Sequence, residues 1–280
     1  MAQKDCNDTL QGLVEDPERK KLRLSMQNLK EQITGVLAEY EDILLQQNPQ
    51  IEADYAIKVG CHENEELKSY IAMRRAKRKY ELAQARINTG EPVDEKAIEQ
   101  QLDRAFTEWE EKLQATLDHY FSLIDYRNNR VAFSEADAKE FKRLFHSLVK
   151  RFHPDIHPEL GEEGSTMFRR IQAAYEAGDL ATLRSLETTT SGADEPDGDP
   201  LQTLDELRAG MIALEAMLSV FQVRLDKLKQ RFPYRYAKQL QNPGWVTARV
   251  KEIEERIAAN ADAEREYRER FNSLLGGVDE

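Results

Sequence analysis

The stretch LVKRFHPDIHPEL, residues 148 to 160, decides how the middle of this chain of 280 residues folds. It opens with apolar and basic residues in a helical pattern and then reaches His153, Pro154 and Asp155. Proline has no amide hydrogen to donate within a helix, and it biases the preceding residue toward extended conformations. The sequence therefore predicts that a helix ends at about Phe152 and that the tripeptide begins a loop.

The helix before this loop is predicted to be amphipathic. It begins with a capping box, in which Ser134 covers free amides and Asp137 reaches back toward it. At about 100° per residue, two sets of side chains point in nearly opposite directions. The apolar set is Phe141, Phe145, Leu148 and Phe152, and the basic set is Lys139, Arg143, His146 and Lys150, with Lys142 at its edge. Because the net charge is −12, a one-sided basic face favours a partner-binding role over ordinary solvation.

A second helix is predicted after the loop, starting near Ser165. Its inward face is Met167 or Phe168, Ile171, Ala174 and Tyr175. Gly178 then stops this helix, and Asp179 caps a last short helix with the sequence LATLRSL. The predicted result is a helical hairpin whose tip presents His153, Pro154 and Asp155 to solvent.

This arrangement resembles a J-domain, the DnaJ-type module that stimulates ATP hydrolysis by DnaK-type chaperones. The matching features are a basic helix that ends in His-Pro-Asp, a loop of about ten residues and the run FRRIQAAYEA. The resemblance covers about 50 of the 280 residues. The family's first helix is not evident, and its candidate remnant is HYFSLIDY, residues 119 to 126. A QKR-like motif, a Gly/Phe-rich region and a cysteine-rich zinc region are missing.

The resemblance implies a contact surface and not a catalytic group. Asp155 would accept charge-assisted hydrogen bonds from an arginine of the chaperone, Pro154 would stiffen the loop, and His153 would pack and hydrogen-bond at the same interface. An acidic surface of the chaperone would be held by Lys139, Lys142, Arg143 and Lys150. This chain has no GxxxxGK[ST] phosphate loop, so the ATP chemistry would belong to the partner. We therefore expect no enzymatic activity and no cofactor.

Heptad spacing dominates the sequence on both sides of this module. The stripe from Leu22 to Ile43 predicts a helix that ends at Asn48-Pro49. Two more helices, at about 64 to 88 and from Ile98 to Leu123, would complete a bundle. The stripes from Leu204 to Leu228 and from Val246 to Leu274 predict either a helical hairpin or a homodimer through these helices.

These patterns together predict an all-α protein in four parts. The parts are a helical-bundle or coiled-coil arm in 1–130, a J-domain-like hairpin in 131–187, a disordered acidic linker in 188–200 and an antiparallel coiled-coil hairpin in 201–280. The leading function hypothesis is a co-chaperone that recruits a DnaK-type chaperone, with the arms selecting an unknown client or a location. The alternative is a coiled-coil scaffold in which the J-like hairpin is only structural.

Composition and motifs argue against several other classes. The net charge of −12 disfavours duplex DNA, and no apolar run approaches the roughly 20 residues of a membrane helix. The two cysteines and the polar N-terminus favour a cytoplasmic protein. A metal site is not favoured, because two prolines interrupt the candidate ligands His153, Asp155, His157 and Glu159.

The densest basic run of the chain lies in MRRAKRKYE, residues 73 to 81. Its bases are Arg74, Arg75, Lys77, Arg78 and Lys79. They wrap around a predicted helix and have acids on both sides, so the favoured interpretation is a solvated surface that pairs with acidic neighbours. Binding of RNA or lipid is the alternative.

Overall fold

The computed structural model describes residues 16–129, 132–190 and 203–276. Within these ranges every regular element is helical, which confirms the all-α prediction. The α-helices are α1 (Pro17–Asp42), α2 (Asn48–Tyr55), α3 (Cys61–Thr89), α4 (Glu95–Asn128), α5 (Glu135–Phe152), α6 (Gly161–Glu176), α7 (Leu180–Thr190), α8 (Leu204–Lys229) and α9 (Pro243–Gly276). No helix in the described ranges is long and apolar enough to cross a bilayer.

The helices form two compact units. The first unit contains the described residues of 16–46 and 132–231, and therefore α1 and α5 to α8. The second unit contains those of 47–129 and 232–276, and therefore α2 to α4 and α9. This division differs from the predicted boundaries, because the arm of 1–130 and the hairpin of 201–280 are each divided between the two units.

The two C-terminal helices have different packing partners. The sequence predicted that α8 and α9 pair in a hairpin, whereas in the structure α8 packs along α1 and α9 packs along α3. The reason is in their apolar stripes. Leu218 and Phe221 of α8 enter the core of the first unit, and Ile253 and Phe271 of α9 are buried in the second. A heptad stripe shows that a helix needs a partner but does not specify which one.

The helical path from Pro17 to Thr89 does not end at Asn48-Pro49 as predicted. A π-helical segment, Ile43–Gln47, precedes Pro49, which then lies in the first turn of α2. Proline is tolerated in a first turn, where its missing amide hydrogen is not needed, and a π-helical turn changes the hydrogen-bonding register before it. Proline therefore follows an irregular turn here and does not terminate the helix.

The segment HYFSLIDY, residues 119 to 126, lies in α4 of the second unit. There the ring of Tyr120 packs so close to Gly60 that a Cβ atom on Gly60 would lie 2.7 Å from it. In the first unit, α5 packs against α1. The candidate remnant of a first J-domain helix thus belongs to a different compact unit from α5 and α6.

Aromatic stacking organises the core of the first unit. The ring of Tyr175 in α6 stacks on Phe141 and Phe145 of α5, with centroid distances of 4.5 and 3.7 Å. The predicted inward residues Leu148, Phe168, Ile171 and Ala174 are also buried. From α1, Ile33 and Leu37 complete this core. Aromatic pairs of this kind contribute about 0.5–1.5 kcal/mol beyond the burial of their area, so α5 and α6 are held firmly together.

Local signals at the ends of these helices are mostly where the sequence predicted them. Ser134 Oγ accepts from the Asp137 amide at 3.1 Å, Gly178 has a φ of +71°, and Asp179 accepts from the Thr182 amide at 2.9 Å. α6 begins at Gly161, four residues before the predicted start, because Gly161 adopts a φ of +57° and lets the chain turn directly into the helix. α7 continues to Thr190, which places 188–190 of the predicted linker in a helix; residues 191–200 lie outside the described ranges.

Candidate functional site

The His-Pro-Asp loop begins where α5 ends. The His153 amide still donates to the carbonyl of Val149 at 3.0 Å, and the backbone of His153 is then extended, as expected before proline. The amides of Ile156 and His157 both donate to the carbonyl of His153 at 2.9 Å. The loop is therefore a tight turn built around the His153 carbonyl.

His153 braces this loop from the inside. Its side chain is buried, with 5% of the residue exposed, and its ring meets Phe168 edge-on at a centroid distance of 4.7 Å. Its Nδ1 atom accepts a hydrogen bond from the Asp155 amide at 3.1 Å. Burial lowers the pKa of His153 to about 4, so the ring is neutral at pH 7. Of the predicted solvent-exposed tripeptide, only Pro154 and Asp155 are exposed.

His157, which the sequence analysis considered only as a disfavoured metal ligand, also shapes the site. Its Nε2 atom lies 2.8 Å from the carbonyl oxygen of Lys150, in the last turn of α5. Its Nδ1 atom lies 2.8 Å from a carboxylate oxygen of Glu159. An Nε2–H group at this position satisfies a helix-terminal carbonyl that has no intrahelical donor. The available signal was a histidine just after a helix C-terminus.

The predicted basic residues lie on the outer surface of α5. The exposed side chains are Lys139, Lys142, Arg143 and Lys150. Asp155 follows at the C-terminal end of the same helix and is also exposed. The structure thus places six of the seven predicted site residues on an accessible surface, and the seventh, His153, beneath it. This surface can both donate and accept charge-assisted hydrogen bonds.

Other helices of the first unit already form ion pairs with this surface. From α1, Glu31 lies 2.9 Å from Lys150 and Asp42 lies 3.5 Å from Lys142. The bond to Lys150 holds the pKa of Glu31 below its usual value. From α8, Arg224 lies 3.3 Å from Asp155. Acids thus meet the bases of α5, and a base meets the aspartate of the loop.

A cleft of about 590 Å³ lies beside the loop, between α1, α6 and α8 of the first unit. Its wall includes Glu41, whose pKa is raised by burial although Gln172 donates a hydrogen bond to it at 2.9 Å. Pro154, Asp155 and Arg224 line the same cleft. Within the described ranges, no group of three His, Cys, Asp or Glu side chains could hold a metal ion. The cleft is thus lined by charged side chains of both signs and lies beside the exposed part of the loop.

Comparison with known proteins finds sequence similarity over part of the chain. Part of this chain is similar to the chaperone DnaJ. It is 48% identical to "Chaperone protein DnaJ" of Thermotoga maritima over 42 residues, which is 15% of this chain and 11% of that protein. It is 35% identical over 57 residues to the DnaJ of Thermoplasma acidophilum and 28% identical over 75 residues to that of Thermoplasma volcanium, which cover 20% and 27% of this chain.

These matches indicate a J-domain-like region and extend no further along the chain. The chain covers 11% to 19% of the length of these relatives. No family model matches the chain. No solved structure matches it either. What DnaJ does as a whole protein therefore enters only as a proposal.

Proposed function

We propose that the α5–α6 module of the first unit recruits a DnaK-type chaperone and stimulates its hydrolysis of ATP. The observation that carries this proposal is the position of Asp155, exposed at the end of a basic helix while buried His153 fixes its backbone. A carboxylate held outward in a braced turn loses little conformational freedom when it binds. That geometry suits a contact that must be specific but need not be large.

The exposed residues would make two kinds of contact with the chaperone, according to their charge. Asp155 would accept hydrogen bonds from an arginine of the chaperone, and the bases of α5 would hold an acidic patch. The chain would contribute no catalytic group and no cofactor, because all the ATP chemistry belongs to the partner. The second unit would select a client or a location, in a cytoplasmic setting.

The ion pairs within the first unit bear on how such a partner would bind. Glu31 and Asp42 offer the bases of α5 the charge that an acidic patch would offer, and Arg224 offers Asp155 a guanidinium. The side chains of the Glu31–Lys150 and Arg224–Asp155 pairs are about half exposed, and exposed ion pairs contribute about 0–1 kcal/mol each. A chaperone would therefore exchange these two pairs for its own at small cost, whereas Asp42 is mostly covered and also accepts a hydrogen bond from the Tyr175 hydroxyl.

The test is ATP hydrolysis by a purified DnaK-type chaperone in single-turnover conditions, with the full chain added. We expect the wild-type chain to accelerate hydrolysis and Asp155→Asn to lose most of that acceleration. Asp226→Asn is the matched control, because Asp226 is an exposed aspartate on α8 that is not among the residues lining the cleft beside the loop. The proposal fails if the wild type gives no acceleration or if the Asp155 and Asp226 variants accelerate equally.

A second candidate function is a scaffold that assembles through α8. This helix buries Leu218 and Phe221 but also exposes Ile212, Val220 and Val223, which are 63%, 58% and 50% exposed. A helix that is apolar on two sides favours a further partner, here a second copy of the chain. Sedimentation of the wild type and of Val220→Glu/Val223→Glu separates the two candidates. A dimer that the variant abolishes, together with no chaperone stimulation, would favour the scaffold.

A further inference from the structure

The basic run of α3 is divided between two environments. On one side, Arg75 and Lys79 are fully engaged by acids of α4. Arg75 pairs with Glu99 at 2.8 Å and with Asp103, and Lys79 pairs with Glu95 and Glu99, each at 2.7 Å. These contacts confirm that part of the run pairs with acidic neighbours. They account for two of its five bases.

The other three bases line a cleft of about 320 Å³ between α3 and α4. They are Arg74, Lys77 and Arg78. Its apolar wall is unusual for a helix surface, because it contains Trp109 and Tyr70, which are 49% and 38% exposed, together with Phe106. Burying such aromatic side chains against a ligand would remove a large apolar area from water, which is energetically favourable. Their exposure beside three cations is the feature that needs an explanation.

The charges around this cleft are not neutralised as they are on the opposite side of α3. Among the described residues, the contacts of Arg74 and Lys77 are with aromatic rings and not with carboxylates: Arg74 lies over the ring of Tyr70 at 5.9 Å, and Lys77 lies over the ring of Tyr267 at 5.8 Å. Arg78 has one exposed contact, with Glu81 at 3.3 Å. Glu81 also lines the cleft, so three bases and one acid surround its apolar floor, which is a local excess of positive charge in a chain with a net charge of −12.

We propose that this cleft binds a segment of a partner protein that carries one aromatic or leucine side chain flanked by carboxylates. The volume is at the lower end of ligand pockets, about 300 to 1,000 Å³, so it suits one anchoring side chain. The apolar anchor lies against Trp109 and Phe106, and the flanking carboxylates meet Arg74 and Lys77. This proposal does not depend on the J-like module, because every residue involved lies in the second unit.

A single-stranded nucleic acid fits this cleft less well. Such ligands bind along grooves in which cations follow the backbone over several nucleotides. Here the acids Glu108, Glu110 and Glu111 lie next to Trp109 in the sequence and would interrupt such a continuous track of cations. A short peptide segment needs only a few cations beside one apolar anchor, and this cleft offers that arrangement.

The position of Trp109 allows a direct test. The chain has two tryptophans, so Trp245→Phe leaves Trp109 as the one tryptophan of the protein. The probe is a ten-residue acetylated peptide with a central Phe between Asp-Glu pairs, titrated while the emission of Trp109 is recorded. We expect a saturable change in emission. The same peptide with Ala in place of Phe should bind about tenfold or more weakly.

A charge-reversal variant tests the bases around the cleft. In the same background, Arg74→Glu/Lys77→Glu should weaken binding of the Phe peptide at least about tenfold. The matched control is Lys251→Glu/Arg265→Glu on α9, which makes the same change in net charge at two exposed sites that form ion pairs with acids of their own helix. Thermal melting followed by circular dichroism identifies any variant that is misfolded. If the charge-reversal variant is misfolded, Trp109→Ala takes its place, and binding is then measured by the fluorescence anisotropy of a labelled peptide.

Several outcomes would overturn the proposal. One is the absence of a saturable emission change with the Phe peptide up to millimolar concentration. Another is equal affinity for the Phe and Ala peptides, and a third is equal loss in the α3 and α9 variants. Tighter binding of a labelled oligouridylate than of the peptide would also overturn it, in favour of RNA. None of these outcomes changes the expected effect of Asp155→Asn on ATP hydrolysis, so the two proposals fail separately.

Discussion

The two units of this protein are stabilised in different ways. In the first unit, seventeen buried residues from five helices form one continuous cluster. In the second, the described core is divided into two clusters of four buried residues, spaced along long helices. Ion pairs supplement them, such as Arg249 with Glu63 and Arg256 with Glu66 between α9 and α3. A continuous core can fix a loop in one position, whereas small cores joined by exposed charges leave long helical surfaces available for other contacts.

The largest effects should come from matched cavities in the two cores. Leu148 in the first unit and Leu102 in the second are both fully buried. Leucine-to-alanine changes in cores cost about 2–5 kcal/mol, and the cost is greater where the surroundings cannot relax into the cavity. We expect Leu148→Ala to fall near the upper end, about 4 kcal/mol, and Leu102→Ala nearer 2–3 kcal/mol, because the cluster around Leu102 is small and bordered by half-buried side chains.

Urea unfolding with two probes measures these values separately. Trp109 and Trp245 both lie in the second unit, so tryptophan fluorescence follows that unit, while circular dichroism follows all helices. Leu102→Ala should shift the fluorescence transition to lower urea concentration. Leu148→Ala should leave the fluorescence transition in place and shift only that part of the dichroism change that comes from the first unit. If Leu148→Ala shifts both signals equally, the two units unfold together, and they do not differ in their free energy of unfolding.

How far the sequence could predict this contrast depends on the range of the interactions. The inward face of α5, the caps at Ser134 and Asp179 and the stop at Gly178 follow from residues within one or two turns of each other. Such signals can be read locally, and all of them are present in the structure. The exposed positions of Lys139, Lys142 and Arg143 follow from the same helical periodicity, and that of Asp155 follows from the loop predicted at Pro154.

The remaining features depend on contacts between distant segments. The partners of α8 and α9 are chosen by packing against α1 and α3, about 200 residues away in the chain, and no local pattern encodes that choice. The burial of His153 depends on Phe168, which belongs to the following helix. The helical path continues past Pro49 because a π-helical turn precedes it, and there is no simple sequence signal for such a turn. The sequence could therefore identify the exposed part of the site more readily than its supports.

Acid should destabilise the first unit through His153. Its pKa is about 4 in the folded chain, below the usual 6.5, because burial disfavours the charged ring. Between these values the unfolded chain binds a proton that the folded chain does not. Stability is therefore fully present above pH 6.5 and is lost as the pH falls toward 4, by about 3 kcal/mol in all.

The comparison of wild type with His153→Gln isolates this effect from other groups that titrate in the same range. The wild type should lose about 3 kcal/mol more than the variant between pH 7 and pH 4, in the dichroism transition that tryptophan fluorescence does not report. Parallel pH profiles for the two proteins would contradict a neutral, buried His153. A larger loss in the fluorescence transition would instead place the acid-sensitive group in the second unit.

The smallest expected effect concerns the ion pair between Arg224 and Asp155, and it rests on the proposed function. An exposed pair of this kind contributes about 0–1 kcal/mol, which corresponds to at most about a fivefold change in affinity. Because the pair must open before an arginine of a chaperone can reach Asp155, Arg224→Ala should lower the chain concentration that gives half-maximal stimulation of ATP hydrolysis. Lys227→Ala, an exposed base one turn later on α8, is the matched control. In an Asp155→Asn background the Arg224 substitution should have no effect, since a double-mutant cycle assigns the gain to the pair itself. A gain that persists in that background would mean that α8 limits access by its bulk and not by its charge.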